Sequence, residues 1–272
     1  MEKTMEKSEL PILNIYEGLH HIYDAAGFSE YAAYYTSIYL TYLQQKGWIG
    51  RRILELGCGT GESLVQFAEQ RMFVTGVDIS AGMLAKAEER FAGGGMSVNL
   101  EEQDIRQYVP KEKNFDLVFS IGSVLNYIQS VRELEQLFQR VNYGLNEGKT
   151  FLFDMRSIPG IVEHLGNKTE VLHQSEDIFV AAQNTIDYET FTLERLMTFV
   201  YPNEASGQLV RQHELHLVRS YPFRVITNLL QKNGFEISDV LNLDLEEYDA
   251  SNDRHGRMVI IAHKVRDFNA SA

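Results

Sequence analysis

Glycines at positions 57, 59 and 61 mark a change of character in the chain. Before them, Arg52–Leu56 is a short apolar run of strand length; after them, Glu62–Gln70 has the spacing of a helix. A strand that passes into a helix through a Gly-rich turn restricts the fold more than any other feature here. Glycine allows the tight turn and lets the backbone approach a ligand closely. The helix that follows presents unpaired N–H groups at its start.

The alternation continues downstream. Phe73–Val77, Val98–Glu102, Phe115–Ser120 and Thr150–Met155 read as strands, and Ala81–Phe91 and Val131–Leu145 as helices. In the second helix Leu134, Leu137, Phe138 and Val141 recur at helical spacing. A helix over Phe223–Asn233, closed by Gly234, precedes two more strands, Phe235–Leu241 and Arg257–Val265, expected as an antiparallel edge. The fold class is therefore α/β: a doubly wound, mainly parallel, seven-stranded Rossmann-like sheet. Upstream, residues 10–47 read as Tyr-rich helices stopped by Gly47. Between residues 170 and 219 the runs Asp177–Gln183, Thr185–Asp187, Thr192–Tyr201 and Leu209–Val218 have no helix between them, and Pro202–Gly207 reads as a turn. The expected organisation is a core of residues 1–160 and 220–272, with an N-terminal helical cap over 1–47. An antiparallel β insertion at 161–219 would cover the substrate pocket.

Asp78 ends the second strand, 21 residues after Gly57. A carboxylate there can accept hydrogen bonds from a ribose diol. A nicotinamide site normally spaces its glycines Gly-x-Gly-x-x-Gly around a pyrophosphate. Here the third glycine comes one position early and Glu62 takes the later slot. Glu55, two residues before Gly57, would repel pyrophosphate and attract an ammonium group. S-adenosylmethionine, cationic at sulfur and carrying an ammonium, suits this charge pattern better than NAD.

Charge and cysteine usage narrow the options further. With 25 basic and 38 acidic residues the net charge is −13, which disfavours a sequence-independent grip on phosphates, so no nucleic acid is expected. Cys58 is the one cysteine, which rules out an intrachain disulfide and a Cys-rich zinc site; no metal is expected. The charged start Met1–Lys7 and the lack of an apolar run near the roughly 20 residues that span a bilayer point to the cytoplasm and away from membranes. A homodimer is compatible with the sequence.

The segment Ile53–Gly61 resembles the first motif of the class I S-adenosylmethionine-dependent methyltransferases. Val74–Ser80 followed by Met83-Leu84 is similar to their second, Glu102–Ile105 to their third and Phe115–Ser120 to their fourth. The resemblance implies that Asp78 binds ribose, Glu55 lies near the methionine amine and Asp104 holds the adenine amino group. Ile79, Met83 and Ile105 would wall the adenine. Gly57, Cys58, Gly59, Gly61 and Ser120 complete the expected cofactor contacts, with S-adenosylhomocysteine as product.

Ligands of open α/β sheets bind beyond the carboxyl ends of the strands. Three segments are expected to converge there: Ser123–Tyr127, Asp154–Ser157 and the Tyr-rich N-terminal region. Transfer of an activated methyl needs alignment first, and a general base only when the acceptor starts protonated. The chain resembles small-molecule members of the family, including N-methyltransferases of amino sugars and of glycine, which carry an insertion after strand five. Asn126, Tyr127, Arg156 and Tyr23 are the candidate acceptor contacts, and Tyr127 and Tyr23 the candidate catalytic residues. Sugar-modifying relatives place a His near the position of Tyr127, so this chain departs from them. Arg156 falls where glycine-modifying relatives bind the acceptor carboxylate; by residue type it is either a bidentate anion binder or the partner of a neighbouring acid. Tyr23 resembles a tyrosine bordering the transferred methyl, or is a packed aromatic.

His20 and His21, adjacent on a helix, would not share a face, which argues against a two-His metal site. His213 and His216, three apart on a strand, would point oppositely and are expected to be structural. The expected activity is methyl transfer to N or O of a small-molecule acceptor. The alternatives are a non-catalytic S-adenosylmethionine or S-adenosylhomocysteine sensor or partner, a nicotinamide oxidoreductase and an RNA methyltransferase. The glycine spacing and Glu55 count against the oxidoreductase, and the negative charge against the RNA enzyme.

Overall fold

The computed structural model describes residues 11–203, 205–252 and 254–268. In chain order the strands are β1 (Ile12–Leu13), β2 (Arg52–Leu56), β3 (Phe73–Asp78), β4 (Asn99–Glu102), β5 (Phe115–Ser120) and β6 (Leu145–Arg156). They continue as β7 (Thr169–Gln174), β8 (Phe179–Asp187), β9 (Thr192–Pro202), β10 (Leu209–Arg219), β11 (Phe235–Leu241) and β12 (Arg257–Lys264). The helices are α1 (Phe28–Gln45), α2 (Val65–Glu69), α3 (Ala81–Gly93), α4 (Val131–Gly144), α5 (Ile158–Val162) and α6 (Phe223–Lys232).

Seven strands form one sheet in the order β11-β12-β6-β5-β2-β3-β4. β4, β3, β2, β5 and β6 are parallel neighbours, and β12 is antiparallel to both β6 and β11. β2 carries buried Ile53, Leu54 and Leu56 in near-continuous succession because helices cover both faces of the sheet. Alternation along β6 sorts its side chains between the two layers: Phe151 and Phe153 pack with Phe138 of α4, while Leu152 packs with Leu40 of α1 and Phe67 of α2. Ser80 starts α3 by accepting from the Met83 amide. Ser130 caps α4: its Oγ accepts from the Glu133 amide at 3.1 Å and donates to the Glu133 carboxylate at 2.9 Å.

A second sheet, ordered β1-β10-β9-β8-β7, follows β6. Two of its strands depart from the sequence expectation. Residues 10–47 are not helical throughout, because Ile12 and Leu13 pair in parallel with His213 and Glu214 of β10. Two residues are too few to show a period. β7 was not anticipated either: its Thr169, Glu170, His173 and Gln174 blur the apolar alternation, as suits an edge strand. The N-terminal segment thus adds a strand to the inserted sheet. Among the described residues no helix is long and apolar enough to cross a membrane.

Candidate functional site

A cavity of about 550 Å³ opens beyond the carboxyl ends of β2, β3, β5 and β6 and is roofed by the second sheet and residues 15–23. Its floor is the Gly-rich loop. Gly57 takes φ +76° and its amide and that of Cys58 donate to the Val77 carbonyl at 2.7 and 3.0 Å. A Cβ on Gly57 would fall 2.5 Å from Val124, whereas one on Gly59, at φ +54° on the cavity wall, would meet nothing within 4 Å. Gly61 is not a wall residue. A Cβ there would fall 2.8 Å from the Phe91 ring of α3, so Gly61 serves close packing of the loop on α3.

Asp78 and Glu55 line the cavity beside this loop. Asp78 accepts from the Gly59 amide at 2.8 Å and the Ser80 amide at 2.9 Å, which locks the loop to the end of β3. Burial raises its pKa, and the amides of Ser80, Gly59 and Ile79 oppose that rise. Glu55 is 1% exposed, and Ser63 Oγ donates to it at 2.6 Å. Burial pushes its carboxyl up to about 8, with Asp78 adding to the rise and Ser63 opposing it. A buried acid held against ionisation beside a glycine cradle fits an incoming ammonium, whose charge would restore the carboxylate.

At the far rim stand Met83, Ile105, Asp104 and Ile79, the last 46% exposed. Burial opposes ionisation of Asp104, but the Arg106 side chain, donating at 2.6 to 3.0 Å, and the Arg106 amide hold it below its ordinary range. A base bound there would share this carboxylate with Arg106.

Besides Gly61, two further expected ligand contacts, Ser120 and Asn126, do not line the cavity. Ser120 is fully buried in the sheet and donates to the Leu56 carbonyl at 2.7 Å. Asn126 is equally buried. Its amide group donates to the carbonyls of Arg219 (2.8 Å) and Arg156 (3.2 Å), and its oxygen accepts from the Arg156 amide (2.8 Å). Its polar atoms are consumed in fixing the backbone that carries Arg156.

The other end of the cavity is aromatic and cationic. Tyr127, Tyr23 and Arg156, the candidate acceptor contacts, line it together with Tyr16, Arg195, His216 and Arg257, which sequence reasoning had not placed there. Tyr16 packs edge-on to Tyr23, with centroids 6.2 Å apart. Arg195 pairs with Glu170 at 3.0 Å and Arg257 with Asp154 at 3.0 Å. Among the described residues no acid comes within ion-pair distance of Arg156, and its hydrogen bonds involve only its backbone. Burial, then the charges of Arg257 and Arg195, lower its pKa to about 10.

His216, expected to be structural, stands on the cavity wall with both ring nitrogens in hydrogen-bond contact. Its Nδ1 lies 2.9 Å from Tyr127 Oη and its Nε2 3.0 Å from Glu214. A signal was present in the sequence, since Glu214 and His216 are two apart on a strand and share a face. Arg195 required the hairpin register, which sets it opposite His216. His213 lies apart from this group, 2.9 Å from Thr198 Oγ1. The rings of His20 and His21, which an α-helix would separate, lie 3.9 Å apart and tilted by 37° in a 3-10 turn.

A family model described as "Methyltransferase domain" matches residues 53–148. The chain is 30% identical over 229 residues to "Putative methyltransferase YqeM" of Bacillus subtilis (strain 168), covering 83% of this chain and 88% of that protein. Its fold is similar to that of an S-adenosylmethionine-dependent methyltransferase from Clostridium acetobutylicum ATCC 824, with a TM-score of 0.78 at 23% identity over 92% of this chain and 99% of that one. It is also similar to the sugar N-methyltransferase KedS8 from Streptoalloteichus sp ATCC 53650, with a TM-score of 0.67 at 18% identity over 96% and 98%. With the Gly-rich loop, Glu55 and Asp78 gathered on one cavity of such a fold, the chain belongs to the class I S-adenosylmethionine-dependent methyltransferase family.

Proposed function

We propose that this methyltransferase acts on N or O of a small molecule that carries a carboxylate or phosphate. Bound S-adenosylmethionine supplies an electrophilic methyl on a positively charged sulfur. Glu55 receives its ammonium, Asp78 its ribose hydroxyls, and the wall of Met83, Ile79 and Ile105 its adenine. The acceptor lies between Tyr23, Tyr127 and Arg156, beneath the second sheet. That sheet and residues 15–23 exclude water, which strengthens every charge interaction inside.

The observation that carries the acceptor class is Arg156. Its two arginine neighbours each have an acidic partner and it has none among the described residues, while its guanidinium faces a cavity. A half-buried guanidinium without a partner is matched by a bidentate anion. The likeness to a protein named a sugar N-methyltransferase supports a small acceptor over a macromolecule.

The test is release of S-adenosylhomocysteine from S-adenosylmethionine across a panel of amino acids, phosphorylated amino alcohols, hydroxy acids and neutral amino sugars. Turnover is expected with an anionic member, and Arg156→Gln should raise its KM at least tenfold, about 1.4 kcal/mol. Efficient turnover of a neutral sugar, unchanged by Arg156→Gln, would contradict the acceptor class.

A further inference from the structure

One chain of hydrogen bonds runs from the cavity into the second sheet and ends on a carboxylate. Glu214 and His216 of β10 are 0% and 1% exposed. Glu214 Oε1 accepts from the amides of Gly18 and Leu19 at 2.8 and 2.9 Å, and Oε2 from the amide of Tyr16 at 2.8 Å. Burial opposes ionisation of Glu214, but His216 and the amides of Leu19 and Gly18 outweigh it and hold the carboxylate below its ordinary range.

An ionised carboxylate only accepts, so His216 Nε2 carries the proton that points at Glu214, and in the neutral imidazole Nδ1 is left as an acceptor. Tyr127 Oη, 2.9 Å from Nδ1, is then the donor to it. Tyr16 Oη donates in turn to Tyr127 Oη at 2.9 Å. Every hydrogen in the series Tyr16–Tyr127–His216–Glu214 therefore has one direction, inward. Burial raises the pKa of both phenols, so neither is the resting base. Tyr16, Tyr127 and His216 all line the cavity.

We propose that His216 receives the proton displaced in methyl transfer, through Tyr127, and that Glu214 holds it in the tautomer able to do so. The acceptor heteroatom forms its bond to the methyl carbon as the carbon–sulfur bond breaks, its electron pair staying on sulfur. The acceptor's N–H or O–H proton passes to Tyr127 Oη, and the proton already on Tyr127 passes to His216 Nδ1. The imidazolium so formed lies between the Glu214 carboxylate and Tyr127, with Arg195 opposite it on β9 and Arg156 and Arg257 on the same cavity as opposing charges. Tyr127 and His216 act on the proton; Glu214 and Tyr16 are positioning residues. The same Glu214 carboxylate binds three amides of the segment that roofs the cavity, so the relay and the roof are built together. The relay rests on the small-acceptor reading above only for its kinetic test.

Two measurements test it. In protein labelled with ¹⁵N in its imidazoles, alone and with S-adenosylhomocysteine added, the His216 resonances should report the Nε2–H tautomer; an Nδ1–H tautomer would overturn the proposal. In the acceptor panel, His216→Ala should lose about a hundredfold in kcat, the ordinary scale of general base catalysis, with the Kd for S-adenosylmethionine within about twofold. Added imidazoles should restore the rate in the order of their basicity. Tyr127→Phe, which keeps the ring, should lose kcat without any such rescue. Wild-type kcat in both variants would overturn the relay. A panel that the wild-type protein does not turn over would contradict the acceptor reading, and the tautomer then decides the relay by itself.

Discussion

Tyr31 Oη, on α1 of the N-terminal region, donates a 2.7 Å hydrogen bond to Asp154 Oδ2 near the carboxyl end of β6. Asp154 is 0% exposed and also binds the Ser123 amide at 2.6 Å and Arg257 Nη1 at 3.0 Å. The Arg257 guanidinium lies 4.3 Å over the Tyr31 ring. One carboxylate thus joins the cap, the loop after β5 and the last strand. It also holds Ser123 at φ +66°, a left-handed conformation rare outside glycine. Asp154→Asn leaves Arg257 largely buried without its counter-charge, which costs about 3–5 kcal/mol. Tyr31→Phe removes a single hydrogen bond and should cost about 1–3 kcal/mol. Urea unfolding of the two variants checks the order.

Glu55 makes ligand binding and stability depend on pH in a calculable sense. Its folded pKa is raised from 4.5 to about 8, so the free protein holds a proton that the unfolded chain has lost. The corresponding stability is fully present below the unfolded value and is lost as pH rises through about 8. Glu55→Gln should flatten this part of the profile. Below pH 8, capture of an ammonium by Glu55 should release about one proton, read by calorimetry in buffers of different ionisation enthalpy, and Glu55→Gln should abolish that release.

The glycines of the loop should separate by role. Gly57→Ala drives a Cβ into Val124, and Gly61→Ala drives one into Phe91, both at φ near +75°. Overpacking of this kind costs about 1–3 kcal/mol, so both should lower Tm. Gly59→Ala has open space before it, so its smaller stability loss should come from the strained φ, while the new methyl projects on the ligand side.

Ser120 and Asn126 should respond as structural residues. Ser120→Ala should lose about 1 kcal/mol and leave the Kd for S-adenosylmethionine within about twofold. Asn126→Ala strips partners from the backbone of Arg156 and Arg219, so it should raise the acceptor KM by loosening Arg156 as well as lower Tm.

The alternation of strand and helix from β2 to β6 was legible because buried parallel strands are short apolar runs and their helices have a clear period. β1 escaped because two residues carry no pattern, and β7 because an edge strand may be polar on both faces without penalty. On the cofactor side Glu55, Gly59 and Asp78 were readable because a local turn brings them together. Ser120 and Asn126 show the limit of motif position, since a residue at a strand end or in the following turn can face the core as easily as the cavity. His216 and Arg195 meet across the β9–β10 hairpin, while Tyr16 and Arg257 come from the N-terminal segment and β12. Strand register and the packing of the second sheet over the first bring the four to one wall, and no local period records that.

Titration calorimetry with S-adenosylmethionine, S-adenosylhomocysteine and NAD, on the wild-type protein and on Asp78→Ala, tests most directly whether the Gly57–Gly61 loop is the methyl donor's site. Both sulfur ligands should bind at one site with micromolar affinity, Asp78→Ala should weaken them at least tenfold, and NAD should give no heat. NAD binding with no response to either sulfur ligand, or full affinity in Asp78→Ala, would contradict it.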